Sequence, residues 1–252
     1  GAAASPAFGL AGIDVAGARW TSRAAIEAAL GLARGTNLFT LSTDALEMRL
    51  EALPAVRRAE IAVALPDRLR VVLEERVPIL AWRVGERRLL VDADGRIFAE
   101  IPPGTPLPET ETRPDGRLAV VDDRRAVSAR LAVGGRLDPV DLEAASRLGS
   151  LDPSDVGSAA ERLVVYVTDE EGFAVRAQPT GWTAVFGFYT PTIRTVDLIP
   201  GQVRLLRGLI GSREREVSRV VLASDTDGTY VPRPSPSPSP APSPSPAPSS
   251  EP

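Results

Sequence analysis

From Val56 to Leu65 the chain alternates. Val56, Ala59, Ile61, Val63 and Leu65 fall largely on one side, and Arg58, Glu60, Ala62 and Ala64 on the other. A period near two is that of a strand with one buried face. Leu69, Val71 and Leu73 alternate with Arg70, Val72 and Glu74 in the same way. Between the two runs, Pro66-Asp67 supplies a fixed φ and a self-bonding carboxylate, so a tight turn and an antiparallel hairpin are predicted. Pro78 has no amide donor and ends the second strand.

Upstream, Ile13-Asp14-Val15 is a short alternating strand closed by Gly17. Thr21 or Ser22 caps a helix through Leu30, with Ile26, Ala29 and Leu30 on one face and Gly31 as its stop. Gly35-Thr36-Asn37-Leu38-Phe39 is a loop anchored by its last two residues. Ser42 or Thr43 caps a second helix, with Leu46, Leu50 and Leu53 at helical spacing. The order β-α-α-β-β buries these stripes most simply as a three-stranded sheet with two helices on one face.

Downstream, Ala81-Trp82-Arg83-Val84, Leu89-Leu90-Val91 and Ile97-Phe98 read as strands. Asp92-Ala93-Asp94-Gly95 is a turn, not a calcium loop, because Arg96, Ile97 and Phe98 stand where such a loop needs further carboxylates. Asp225-Thr226-Asp227-Gly228 is read likewise. Residues 101–117 form a Pro-rich surface loop, and 118–137 show no clear period. Asp138 caps a helix to about Leu148, with Pro139 in first position. Strands follow at Leu163–Val167, Phe173–Arg176 and Trp182–Gly187. A helix is predicted over Gly201–Ile210, and Val217–Leu222 is the last clear strand. From Pro232 the chain is Ser-Pro and Ala-Pro repeats. These favour polyproline II and cannot build a core, so a disordered, semi-rigid spacer is expected over 232–252, with a proline-motif ligand as the alternative.

Composition removes several function classes. Histidine and cysteine are absent, which excludes Ser-His and Cys-His catalysis, disulfides, and sites ligated by thiolate or imidazole. The net charge of −4 argues against non-specific nucleic-acid binding, although all 29 basic residues are arginine. No apolar run reaches the roughly 18 residues of a membrane span. Residues 1–7 read as a stub after such a span or as an expression scar.

Five short motifs, in order, carry a family resemblance. They are Ile13-Asp14-Val15-Ala16-Gly17, Gly35-Thr36-Asn37-Leu38-Phe39, Leu53-Pro54-Ala55-Val56, Leu65-Pro66-Asp67-Arg68-Leu69 and Glu75-Arg76-Val77-Pro78. In these the chain resembles the extracytoplasmic part of the FtsQ/DivIB cell-division family. The resemblance implies an α+β fold with a POTRA (polypeptide-transport-associated) domain over 8–78. A β domain with a mainly antiparallel sheet and flanking helices would follow over 79–231, and a membrane anchor would precede residue 1. Two departures stand out: Leu222-Ala223-Ser224-Asp225 replaces the family's acidic–apolar–Arg motif, and Gln202 replaces a basic residue.

The function implied is that of a non-enzymatic divisome scaffold without cofactor or metal. It would be a single-pass protein of the cell membrane, with this chain outside the cytoplasm at the septum. The implied partners are membrane-anchored division proteins resembling FtsB and FtsL and, through them, the septal peptidoglycan synthase. The expected mode is β-augmentation on the exposed edge of the last strand. Its contact residues would be Val217, Arg219, Val220, Val221 and Leu222, with Arg204 and Arg207 on the late helix. A POTRA protein of translocation or outer-membrane assembly is the alternative. It would carry repeated POTRA units or a barrel's many alternating strands, and neither pattern is present. A carboxylate enzyme would need two acids set in a motif, and none is recognisable.

Overall fold

The computed structural model describes residues 8–110 and 116–234. The expectations for 1–7 and for 235–252 lie outside the described residues.

The N-terminal unit is built as the periodicities require. β1 (Gly12–Ala16), α1 (Arg23–Leu30), α2 (Thr43–Glu51), β2 (Val56–Ala64) and β3 (Arg68–Glu75) follow in order. Ser22 is the cap of α1, its hydroxyl accepting from the Ala25 amide, and Ser42 caps α2 through Ala45. The sheet order is β1-β3-β2, with β1 parallel and β2 antiparallel to β3. Ile26 and Leu30 of α1 and Leu46 and Leu50 of α2 pack on Ile61, Leu69, Val71 and Leu73, which puts both helices on one face. Gly17 is required where it stands: its φ is +81°, and a Cβ there would lie 2.0 Å from the Leu73 carbonyl oxygen.

β2 departs from a simple alternation. A bulge between Val56 and Arg58 lets both Val56 and Ala59 face the core. Val63 and Leu65, expected on the buried side, are instead 37% and 56% exposed. They lie beyond Ile61, the last β2 residue in the core cluster. The outward amides of Ala59 and Ile61 are taken up by α2, whose Glu51 and Glu47 carboxylates accept from them at 3.1 and 2.7 Å. This edge is therefore blunted.

The Glu75-Arg76-Val77-Pro78 motif joins the two units. The Glu75 carboxylate accepts from the amides of Arg19, Trp20 and Thr21 at 2.7–2.8 Å. That fixes Trp20, whose ring meets Phe98 edge-on at 6.1 Å. Arg76 donates to the Pro54 carbonyl and pairs with Asp92 at 2.6 Å. Trp20, Ala55, Phe98, Ile101 and Leu118 share one apolar cluster across the junction.

The second unit is one nine-stranded sheet. Its strands are β4 (Leu80–Val84), β5 (Arg87–Val91), β6 (Ile97–Ile101), β7 (Ala119–Asp123), β8 (Arg162–Thr168), β9 (Gly172–Gln178), β10 (Thr183–Gly187), β11 (Val217–Leu222) and β12 (Gly228–Pro232). Their order is β12-β11-β10-β9-β8-β7-β4-β5-β6. Antiparallel pairings outnumber parallel ones, the parallel pairs being β4–β7, β7–β8 and β10–β11. A parallel pair needs a crossover. α3 (Pro139–Gly149) lies on the crossover from β7 to β8, and α4 (Ile199–Ile210) on that from β10 to β11. Both bury their apolar stripes in one core with Trp82, Val165, Val175, Phe186 and Val220. The region without a clear period contributes β7, which is only five residues long.

Candidate partner interface at the β12 edge

Val217–Leu222 is not the edge strand expected from the sequence. β12 pairs antiparallel along it, from Val217↔Pro232 to Leu222↔Gly228, so β11 is bonded on both sides. The physical reason lies in Asp225-Thr226-Asp227-Gly228, which closes a hairpin: Ser224 N–H donates to the Asp227 carbonyl at 3.0 Å. Strand pairing therefore continues to Pro232, the first residue of the proline-rich composition.

β12 is one end of the sheet; β6 is the other. At β6, the Ile97 amide donates to Gly135 O and its carbonyl accepts from Gly134, so a loop occupies that edge. Among the described residues no strand lies beyond β12. The direction of its backbone groups follows from the register. Arg233 N–H donates to Glu216 O, which makes that a bonded pair. Bonded and non-bonded pairs alternate in an antiparallel ladder. Pro232, Tyr230 and Gly228 therefore point outward, and Val231 and Thr229 inward. The carbonyl of Leu222, opposite Gly228, agrees: it turns away from β12 and accepts from Arg194 at 2.8 Å and Gln202 at 3.1 Å. Proline stands at an outward position, where no ladder bond is lost. Tyr230 is the central outward residue.

α4 backs this edge. Tyr230 lies opposite Val220, whose side chain is in the helix-side core, so Tyr230 is on the α4 face. Leu205 and Leu209 reach the same strand: a Cβ at Gly228 would be 3.1 and 3.3 Å from their methyl groups. Gly201 lets the helix start close in, since a Cβ there would be 2.4 Å from the Asp225 Cβ. Gln202 is fully buried. Its amide donates to the Phe186 and Leu222 carbonyls, and its oxygen accepts from Tyr189. It thus ties α4 to the ends of β10 and β11. At the other end of β11, Glu214 accepts from Ser158, Ala159 and Trp182. Burial opposes its charge, but these hydrogen bonds hold the carboxyl below the usual glutamate range.

The residues singled out in the sequence are dispersed. Val217, Val220 and Leu222 are buried in the core. Arg219 is paired with Glu171, and Val221 is exposed on the face away from α4. Arg204 is exposed. At about 100° per residue Arg207 falls on the flank opposite Leu205, and it packs over Gly157, where a Cβ would be 3.4 Å from its Cγ. Sequence reasoning missed Tyr230 and its strand. The available signal was the alternation Gly228-Thr229-Tyr230-Val231 straight after an Asp-Gly turn.

The arrangement offers backbone pairing. Among the described residues no group of three or more acids is placed to hold a metal ion. Nor, among them, is any helix long and apolar enough to cross a membrane.

Residues 8–76 match the family described as POTRA domain, FtsQ-type. The chain is 28% identical over 229 residues to the cell division protein FtsQ of Chloroflexus aurantiacus, covering 90% of this chain and 71% of that protein. It is 28% identical over 173 residues to that of Streptomyces griseus, covering 66% and 82%. With that of Chloroflexus aggregans the identity is 32% over 155 residues, covering 61% and 52%. The five motifs, the β-α-α-β-β unit and these relatives agree: the chain carries a POTRA domain of the FtsQ type over residues 8–76 and is similar along most of its length to cell division proteins named FtsQ.

Proposed function

We propose that the chain is a non-enzymatic scaffold of the divisome that binds other membrane-anchored division proteins by strand addition to β12. The partners are proteins resembling FtsB and FtsL, met outside the cytoplasmic membrane, and the outcome is recruitment of the septal peptidoglycan synthase. The observation that carries this reading is the outer edge of β12. There Tyr230 and Gly228 aim backbone groups away from the sheet beside an apolar backing of Leu205 and Leu209. An extended segment pairing there gains main-chain bonds, and alternate side chains supply specificity.

The register gives a paired test. Tyr230→Pro removes an outward amide and leaves the β11 ladder intact. Val231→Pro removes an inward amide that bonds β11. With the extracytoplasmic segment of the FtsB-like protein as ligand, Tyr230→Pro should lower affinity about tenfold or more with an unchanged melting temperature. Val231→Pro should lower the melting temperature. Full affinity in Tyr230→Pro would remove β12 as the site.

A further inference from the structure

The face of the sheet opposite α3 and α4 carries a second surface. Register places Tyr166, Ala174 and Val185 side by side on it, and these three form a cluster of their own with no helix residue packed on it. Tyr166 is nevertheless only 5% exposed, because two arginines roof it. The guanidinium of Arg124 lies 4.8 Å and that of Arg176 5.6 Å from its ring centre. The small side chain of Ala174 leaves room for this stacking. A guanidinium lying on an aromatic ring keeps its N–H fork free for a carboxylate and is already ordered before anything binds.

Charge on this face is not balanced within the chain. Arg124 shares the single Asp122 carboxylate with Arg83. Among the described residues Arg176 has no carboxylate within ion-pair distance, and neighbouring Arg162 is bonded only to the Gln178 side chain. Arg219, by contrast, is neutralised by Glu171. The surplus is positive although the whole chain carries −4. Toward β12 the same face continues as Val185 and Val221, neighbours by register, and as Val231, which lies opposite Arg219 and diagonal to Val221; the last two are exposed.

We infer that this face binds an acidic polypeptide segment, its carboxylates on Arg176 and Arg162 and its apolar side chains along Val221 and Val231. The pairing of guanidinium forks with an adjoining apolar strip selects a peptide over a polyphosphate or a lipid headgroup, which would leave the strip unused. This surface goes beyond strand addition and does not depend on it, since the outward groups of β12 lie in the plane of the sheet.

The test uses the intact chain and a dye-labelled oligoglutamate interspersed with leucine, read by fluorescence anisotropy. Binding should weaken as salt rises. Arg162→Glu with Arg176→Glu should weaken it about tenfold or more, and Arg176→Gln should weaken it by a smaller factor. The same charge change at Arg57 and Arg58, on β2, should leave it nearly unchanged, as should Tyr230→Pro. Absence of binding overturns the inference. So does an equal loss from both pairs of substitutions, which would mean net charge alone. Binding of polyphosphate or phosphatidylglycerol vesicles without the peptide also overturns it.

Discussion

The side chain of Asp123 is wholly enclosed, yet it is charged. Its carboxylate accepts from Trp82 Nε1 at 2.9 Å, from the Arg125 guanidinium and amide, and from the Ser128 hydroxyl. Burial is the strongest single influence and opposes ionisation. The bonds from Arg125 and Ser128 together outweigh it and hold the group below the ordinary aspartate value of 3.8. Removing the acceptor strands a buried indole N–H and an arginine, so Asp123→Ala should cost about 3–5 kcal/mol in urea unfolding. The sign of the pH effect follows. A depressed folded-state value means stability present above pH 3.8 and lost as pH falls further; Asp122 and Glu214 act in the same direction. Asp141 is raised, because burial outweighs the stabilising pull of Arg125, and it opposes them. The melting temperature should fall on acidification below about pH 4, and less steeply in Asp123→Asn. An unchanged profile in that variant would contradict the assignment.

Among the elements, α2 has the clearest relation between pattern and packing. Leu46 and Leu50 point into the core while Glu47 and Glu51 cap β2. Leu50→Ala should destabilise the protein by about 2–5 kcal/mol, measured as a lower urea midpoint, because it deletes a fully buried side chain. This helix was legible in the sequence because its cap and its Leu46 and Leu50 stripe agree; Leu53, expected on the same stripe, lies past its end at Glu51. β2 and β3 were legible from period two. Three features were not. The bulge at Val56 shifts the alternation and hides which valines are buried. β7 gains its strand character from β4 and β8 on either side, contacts that no local pattern announces. β12 is exposed on both faces, so it lacks the buried-face alternation that marks a strand, and its final proline resembles the tail that follows. Placing the candidate site one strand too early was the direct consequence: the last strand with a core face is not the last strand of the sheet.

At the scale of the molecule, the family motifs divide between folding and joining. Gly17 and the Leu65–Leu69 turn serve the POTRA unit, whereas Ala55, Glu75 and Arg76 lock that unit against the nine-stranded sheet. The β12 edge stands at the far end of that sheet, eight pairings from the β6 strand beside the junction. At the β6 end the 134–135 loop bonds Ile97, and among the described residues no strand lies beyond β12, which is the edge that the proposed strand addition uses. The most direct measurement is amide hydrogen exchange of the β12 backbone, followed by NMR with and without the extracytoplasmic segment of the proposed FtsB-like partner. Strand addition predicts that the Tyr230 and Gly228 amides exchange freely in the isolated chain and become protected in the complex, while Thr229 and Val231 are protected in both. Tight binding that leaves the Tyr230 amide exchanging at its free rate would contradict it.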